Sequence, residues 1–235
     1  MTSGQWEKHW EESAFQTHRL DLSFSVFSNV YDTYLTRDET KSVLEVGAFP
    51  GQHLGYVAKR FGYAPTAVDY VDNIDVLVRN MESNGIDCHV IKEDFLAWQP
   101  DRQYDVVLSH GFVEHFQNYE EVIGKHIDLV APNGTLFLSV PMTSRLRWMF
   151  CYLYFGKKKY KEKLDDHVLE IMNLKRLKEV CLSENRLNVL FAGQMWNYGP
   201  AYPGHHWLKY KIYVPIVLPN IMIVAKKTAP LETSD

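Results

Sequence analysis

The chain has 235 residues, of which 46% are apolar and 23% charged, and its formal net charge is −4 at pH 7. This length and apolar content suffice for one well-cored domain, with or without a small insertion. The mild acidity argues against nucleic acid as a partner, because no global positive field would attract phosphates.

The termini, apolar runs and cysteines point to a soluble protein. The first residues, MTSGQWEKHWEE, are charged, and no apolar run is long enough for a membrane span, so we expect neither a secretory signal nor a transmembrane helix. Cys88, Cys151 and Cys181 are scattered and odd in number, which is typical of free thiols in a reducing compartment. We therefore expect a cytoplasmic protein.

The predicted elements alternate between short strands and helices. Residues 1–40 are expected to form a helical N-terminal cover. KSVLEVG then predicts a strand, and apolar residues recur behind it at helical spacing. PTAVDY, DCHVIKED, YDVVLSHG and TLFLSVP predict four more strands. YEEVIGKHIDLV is predicted to be the helix before the last of them, and APNG the turn between that helix and the strand. The helix NLKRLKEVCLSEN precedes the final strands RLNVLFAG and NIMIVAKK.

This alternation favours an α/β fold with a mostly parallel sheet and helices on both faces. We predict one domain with seven strands in a Rossmann-like arrangement. Two long segments do not fit the minimal pattern: residues 142–168 are predicted to be an inserted lid, and residues 194–219 a long aromatic loop before the last strand. Ligands of such sheets bind at the carboxyl ends of the strands, so the residues after each strand are the candidates for a site.

The loop GAFPG after the first predicted strand does not fit a phosphate-binding motif. A dinucleotide site needs G-x-G-x-x-G, which would place glycines at 49 and 52, where this chain has Phe49 and Gln52. No Lys-Ser or Lys-Thr pair closes the turn, so a P-loop is also absent. The loop therefore disfavours nicotinamide, flavin and nucleoside triphosphate ligands.

The stretch E-V-G-A-F-P-G resembles the first signature of class I S-adenosylmethionine-dependent methyltransferases, commonly E/D-x-G-x-G-x-G. Gly47 and Gly51 match the first and third glycines of that family, and Glu45 matches its acidic residue. Phe49 and Pro50 depart from the pattern. The resemblance implies that S-adenosylmethionine is the cofactor, and that Glu45 holds the loop and, through water, the ammonium group.

Further motifs follow in the order of that family. Asp69, near the end of AVDY, matches the carboxylate that accepts the ribose hydroxyls, and in KEDFLAW Asp94 and Phe95 match the residues that bind the adenine amine and ring. Asp94 would equally suit a helix N-cap, and Phe95 a core position. YDVVLSHGFVEHF resembles the fourth signature, which implies that Ser109 and His110 lie beside the sulfonium. APNGTLFLSVP resembles the fifth signature, and IMIVAKK the antiparallel last strand.

Histidines are the candidates for a catalytic base, because a neutral imidazole can take a proton near neutral pH. His110 is the first candidate, with His115 or His205 behind it. Each of the three also suits a structural or surface role. Arg19 is a further candidate, as a partner of the cofactor carboxylate.

A metal site is not predicted. Glu114, His115 and residues 165–167 offer carboxylate and imidazole groups, but no spacing among them is diagnostic of a metal.

The residues after the fourth predicted strand argue against several substrate classes. Enzymes that methylate amino groups of nucleic-acid bases carry D/N/S-P-P-Y/F/W there, whereas this chain reads Ser-His-Gly-Phe at 109–112. The catalytic Asp and Lys of RNA ribose methyltransferases are absent despite the similar loop. Protein arginine methyltransferases need two glutamates where only Glu114 is present, and metal-dependent catechol-type enzymes need an Asp. A small-molecule acceptor remains.

The predicted lid combines aromatic residues, from Trp148 to Phe155, with a lysine-rich run from Lys157 to Lys163. Three interpretations remain open: a lid over the substrate cavity, a peripheral membrane contact through residues 145–163, or a dimer interface. The oligomeric state stays open with them.

The sequence thus favours S-adenosylmethionine-dependent methyl transfer to an oxygen or nitrogen of a small molecule, with a sugar or a lipid-linked biosynthetic intermediate among the options. One alternative is a non-catalytic subunit that binds S-adenosylmethionine or acts as a scaffold. A lesser one is an NAD-dependent oxidoreductase.

Overall fold

The computed structural model describes residues 22–23, 25–142, 167–183, 185–195 and 220–228. Arg19 and His205, most of the predicted lid and most of the long aromatic loop lie outside the described residues. The described residues divide into two compact units, one up to Gln99 and the other from Pro100 onward. Each unit is described by itself.

The first unit carries three parallel strands and the helices between them. Its strands pair in the order β3-β2-β1, and both pairings are parallel. The elements are α1 (Ser28–Tyr34), β1 (Ser42–Val46), α2 (Gln52–Phe61), β2 (Ala64–Asp69), α3 (Asp75–Ser83) and β3 (His89–Lys92).

Helix α2 packs on β1 and β2 through an apolar stripe. Leu54, Val57 and Phe61 recur at three- and four-residue spacing and are all buried, as expected for the core face of an amphipathic helix. The helix begins after Gly51 and ends at Gly62, and both glycines have a positive φ. A residue with a Cβ is disfavoured in that conformation, so these glycines set the length of the helix.

The second unit carries four strands in the order β4-β5-β7-β6. Strands β4 and β5 are parallel, whereas β7 is antiparallel to both of its neighbours. The elements are β4 (Tyr104–His110), a 3₁₀ helix (Val113–His115), α4 (Tyr119–Leu129), β5 (Val130–Pro141), α5 (Leu174–Leu182), β6 (Leu187–Met195) and β7 (Asn220–Lys227).

Strand β5 is longer than predicted, because the residues expected to form a turn lie within it. Val130 pairs with Tyr104, but the next partners are Thr135 and Val106, so the residues between Val130 and Thr135 bulge out of the ladder. Asn133 in this bulge has a φ of 62°, a conformation that asparagine tolerates better than most residues. The residues APNG, which favour a turn, thus form a bulge within a strand.

The seven strands, mostly parallel and with an antiparallel last strand, confirm the predicted fold class. Strand β7 supplies much of the core of the second unit, since Ile221, Met222, Ile223, Val224 and Ala225 are all fully buried. No helix in the described ranges is long and apolar enough to cross a membrane.

Candidate active site

The loop between β1 and α2 is held tightly by its own backbone and by neighbouring strands. Gly47 and Gly51 have φ values of 69° and 98°. The Gly47 N–H donates to the Val68 carbonyl at 3.0 Å, and the Gly51 N–H to the Ala48 carbonyl at 2.6 Å. A Cβ at Gly51 would lie 3.1 Å from the Met81 Cε atom. The loop therefore needs glycine there for both its conformation and its packing.

Glu45 fixes the start of the helix that follows the loop. Its side chain is 2% exposed, and its Oε2 accepts a hydrogen bond from the Leu54 N–H at 2.8 Å. Leu54 is the third residue of α2, so the carboxylate replaces the side-chain cap that Gly51 cannot provide. Burial raises the pKa of Glu45 well above its usual value, the Leu54 hydrogen bond opposes that shift, and the charge of Asp69 adds to it.

Asp69, the last residue of β2, ties the same loop to the next strand. Its Oδ2 accepts from the Phe49 N–H at 2.8 Å, and its Oδ1 accepts from the N–H groups of Tyr70 and Val71 at 2.7 and 3.2 Å. Burial raises the pKa of the Asp69 carboxyl, although the three hydrogen bonds favour its charged form. Two carboxylates thus meet the loop from adjacent strands.

Asp94 shapes a turn rather than the helix N-cap that the sequence left open, and Phe95 has the core position that the sequence left open. The Asp94 Oδ1 accepts from the Leu96 N–H at 2.9 Å, and the Asp94 carbonyl accepts from the N–H groups of Ala97 and Trp98. Phe95 is 4% exposed and belongs to the core. Their roles in binding adenine stay predictions, because the carboxylate shapes a turn and the ring lies within protein.

Ser109 and His110 end β4 in the second unit. The His110 Nδ1 atom lies 2.8 Å from the Oγ of Ser139, its partner in the β4–β5 ladder, so the ring is held by a hydrogen bond from the neighbouring strand. Ser109 is fully buried, and among the described residues its Oγ has no hydrogen-bond partner. The two side chains that the sequence placed at a site therefore sit on a rigid strand end.

His115 lies within a cluster whose members the sequence grouped without a diagnostic spacing. It follows Glu114 in the 3₁₀ helix, and the His115 Nε2 is 4.0 Å from the Glu114 Oε1. The ring centroids of His115 and His167 are 4.5 Å apart. The Val168 N–H donates to the Glu114 carbonyl at 2.6 Å, which fixes the last residues of the predicted lid against this helix.

The sequence missed a polar pair beside the start of α2. The Nδ1 of His53, the second residue of α2, lies 2.8 Å from the Ser25 Oγ, and the imidazole packs against Phe27 with ring centroids 5.0 Å apart. Burial lowers the pKa of His53 to about 4, so the ring is neutral near pH 7. In the sequence, only the position of His53 directly after the glycine loop indicates that its side chain could lie near the site.

The charges of the first unit favour a cationic ligand at the loop. The side chains that meet it from β1 and β2 are the carboxylates of Glu45 and Asp69. Lys92, at the end of β3, is bound to the carbonyl and carboxylate of Asp72. When these carboxylates are ionised, they repel a phosphate chain at this loop and attract a ligand with ammonium and sulfonium groups. The residues present therefore fit S-adenosylmethionine and do not fit a pyrophosphate.

Comparison with known proteins agrees with this chemistry. The sequence model of a family described as "Methyltransferase domain" matches residues 5–183. Trans-aconitate 2-methyltransferase of Escherichia coli O139:H28 is 21% identical over 104 residues, which are 44% of this chain and 40% of that protein. Ubiquinone biosynthesis O-methyltransferase of Rickettsia conorii is 27% identical over 133 residues, which are 55% of this chain and 43% of that protein. The chain thus spans less than half the length of these curated relatives.

Solved structures share the fold along most of the chain. The plantazolicin methyltransferase BpumL, in complex with a triazolic desmethylPZN analog and SAH, matches with a TM-score of 0.60 and 15% identity, covering 95% of this chain and 89% of that one. The [4+2]-cyclase SpnF matches with a TM-score of 0.59 and 14% identity, covering 87% and 80%. At these identities the likeness shows the fold alone.

Proposed function

The chain belongs to the methyltransferase-domain family, the class I S-adenosylmethionine-dependent methyltransferases, and on that premise we propose that it transfers a methyl group to an oxygen or nitrogen of a small molecule. S-adenosylmethionine is the cofactor of this family and supplies a methyl group that is already activated. The protein then has to position cofactor and acceptor and to accept at most one proton.

The observation that carries the proposal is the glycine loop with its two carboxylates, the buried Glu45 and the half-buried Asp69. Asp69 binds the backbone of the loop, and Glu45 binds the backbone of the helix that follows it. In this proposal the loop backbone contacts the methionine part of the cofactor. Glu45 contributes to binding of the ammonium group indirectly, because it fixes the position of the loop. The pyrophosphate of a dinucleotide would instead place further negative charge beside these carboxylates.

We propose that Asp69 binds ribose through the one lone-pair position that is not used by backbone N–H groups. A carboxylate offers about four lone-pair positions. Backbone N–H groups use two on Oδ1 and one on Oδ2. One further donor fits on Oδ2, so we propose that Asp69 accepts one ribose hydroxyl while it keeps the loop in place. The sequence led to the expectation that Asp69 accepts both ribose hydroxyls, and this proposal reduces that number to one.

His110 is the proposed base, and Ser139 orients it. The 2.8 Å contact between the Ser139 Oγ and the His110 Nδ1 leaves Nε2 as the nitrogen that takes a proton. We expect His110→Ala to lower the rate of turnover while leaving the affinity for S-adenosylhomocysteine unchanged. His89→Ala, at an exposed histidine of β3, is the control. Full activity of the His110 variant would remove it from the mechanism.

The experiment that tests the function is a screen for release of S-adenosylhomocysteine from S-adenosylmethionine with pools of small molecules. Calorimetry on the same protein compares the affinity for S-adenosylhomocysteine with that for NAD. We expect S-adenosylhomocysteine to bind and NAD not to bind. Binding of NAD alone would overturn the proposal and favour an oxidoreductase.

A non-catalytic adenosyl-ligand-binding subunit is the second candidate. A protein of the same fold is named as a cyclase, so the fold by itself does not establish methyl transfer. Binding of S-adenosylhomocysteine without methyl transfer to any member of the pools would favour this alternative. A sugar or a lipid-linked acceptor stays a prediction. A peripheral membrane contact through residues 145–163 also stays a prediction, and those residues lie outside the described ranges.

A further inference from the structure

We propose that Glu114, His115 and His167 bind a divalent transition-metal ion such as Zn²⁺. One potential ligand atom from each residue lies within 4.8 Å of the other two. Two imidazoles and a carboxylate are a donor set that suits zinc, cobalt, iron or manganese rather than magnesium or calcium, which prefer oxygen ligands. The sequence alone predicted no metal, and the proposal goes beyond the proposed methyl transfer.

The fold brings the three ligands together from distant parts of the sequence. Glu114 and His115 are adjacent in the 3₁₀ helix after β4, whereas His167 precedes α5. The hydrogen bond from the Val168 N–H to the Glu114 carbonyl, at 2.6 Å, connects the two segments. A backbone contact one residue from His167 therefore fixes the third ligand next to the other two.

The spacing of the ligand atoms is close to that of a metal site. In tetrahedral zinc sites, bonds of about 2.0–2.1 Å place the ligand atoms about 3.3 Å from one another. The Glu114 Oε1 and His115 Nε2 are 4.0 Å apart, and the three atoms span at most 4.8 Å. Side-chain adjustments of about 1 Å would close the site around an ion, without movement of the backbone.

Burial and charge favour a cation at this place. The side chains of Glu114 and His115 are 1% and 5% exposed. An ionised carboxylate that is removed from water needs a positive partner, and either a metal ion or a protonated imidazole can supply it. The His115 and His167 rings have centroids 4.5 Å apart. Two protonated rings at that distance would repel each other, whereas two neutral rings can share one metal ion.

A glycine lies beside the carboxylate. Gly111 has a φ of 66°, and a Cβ built on it would lie in van der Waals contact with the Glu114 Oε1, at 3.5 Å. Three protein ligands leave a coordination position for water or for an oxygen of a small molecule, as in catalytic rather than structural zinc sites.

The test is metal binding by the full chain after removal of bound metal with a chelator. We expect calorimetry to show one high-affinity Zn²⁺ per chain and no comparable binding of Mg²⁺. Co²⁺ is the spectroscopic probe, because nitrogen and oxygen ligation in a four- or five-coordinate site gives visible d–d absorption bands that the hydrated ion lacks.

Variants identify the ligands. Glu114→Gln keeps the size of the buried side chain and removes its charge, and His167→Ala removes a partly exposed ligand at low risk to folding. We expect each of these two variants to weaken Zn²⁺ binding by about 10-fold to 100-fold or more and to abolish the Co²⁺ bands. His89→Ala, at an exposed histidine, should change neither.

Two results would overturn the proposal. One is absence of Zn²⁺ and Co²⁺ binding by the parent protein. The other is equal binding by the parent and the His167 variant, since the chain has ten histidines and the ion would then occupy a different place. The affinity for S-adenosylhomocysteine, measured on the same samples, separates a failure of this proposal from a failure of the proposed function.

Discussion

At the scale of single residues, the carboxylates of the candidate site fix the backbone around it, and the same groups are available to a ligand. Glu45 and Asp69 hold the backbone of α2 and of the glycine loop, respectively. Burial raises the pKa values of both carboxyl groups, and the backbone hydrogen bonds that each accepts oppose that shift. A ligand with positive charge would lower those pKa values again, so binding and ionisation support each other.

We predict that Asp69→Ala weakens binding of S-adenosylhomocysteine by on the order of 1–3 kcal/mol, because it removes a charge-assisted hydrogen bond to ribose and the anchor of the Phe49 N–H. Titration calorimetry measures the loss. Asp72→Ala is the matched control, since this nearby aspartate is exposed and pairs with Lys92. If the Asp69 variant retained the affinity of the parent, Asp69 would not be a ligand of the cofactor.

Residue types alone could not decide between several roles. Asp94 and Phe95 fitted both a cofactor clamp and a local turn with a core ring, and the structure shows the latter features. The pair of Ser25 and His53 was not predicted, because its members are 28 positions apart and neither belongs to a motif. Side-chain partners that are distant in sequence require the fold before they can be identified.

At the scale of secondary-structure elements, the periodic patterns were reliable and their ends were not. The strands and helices of both units appear where alternation and helical spacing predicted them, because burial of one face decides both patterns. The turn signal APNG was read as the end of an element, but the β4–β5 ladder continues across it as a bulge. Pairing with a neighbouring strand overrode the local turn chemistry there.

The junction of the glycine loop and α2 gives a prediction at this scale. Gly51→Ala should destabilise the protein by roughly 1–2 kcal/mol, through its φ of +98° and the approach of the new Cβ to the Met81 Cε at 3.1 Å. Chemical denaturation measures the change. It should also weaken binding of S-adenosylhomocysteine, since the loop forms the proposed contact with the cofactor.

Gly85→Ala is the matched control for that variant. Gly85 has a φ of +69°, and nothing lies within 4 Å of a Cβ built on it. This substitution should cost about 1 kcal/mol from the backbone alone, with no change in ligand affinity. Equal losses of stability in the two variants would show that the contact with Met81 has no energetic role.

The Glu114–His115–His167 cluster shows why a three-dimensional arrangement was needed at this scale as well. Glu114 and His115 follow β4, whereas His167 lies near the end of the predicted lid, so their spacing in sequence matches no metal motif. The hydrogen bond between Val168 and Glu114 brings the segments together. No periodicity or local propensity in the sequence encodes such a contact.

At the scale of the whole molecule, buried ionisable groups make stability depend on pH in two opposite ways. Burial lowers the pKa values of His53 and His126 to about 4, so the folded state binds fewer protons than the unfolded chain below about pH 6.5. Their stabilising contribution is present above pH 6.5 and is lost as the pH falls to about 4. Glu45 and Asp69, with raised pKa values, stabilise most below their ordinary range and lose that contribution as pH rises.

His126 allows one of these contributions to be isolated. It is fully buried in α4, where its Nδ1 lies 2.7 Å from the Val122 carbonyl. We predict that His126→Met reduces the loss of stability between pH 6.5 and 4 by up to about 3 kcal/mol, because the variant no longer takes up a proton there. Denaturant titrations across this pH range measure the difference.

His89→Met serves as the control, since His89 is exposed on β3. It should keep the pH dependence of the parent. If the His126 variant also kept that dependence unchanged, protonation of His126 would not limit stability in acid.

The central position of β7 has a consequence for biosynthesis. This strand lies between β5 and β6, yet a ribosome makes it after both of them. Until it emerges, the nascent chain exposes two bare hydrogen-bonding edges that are competent to pair with other polypeptides. The edges of β5 and β6 can therefore be paired with their common neighbour β7 only after all three strands have been synthesised.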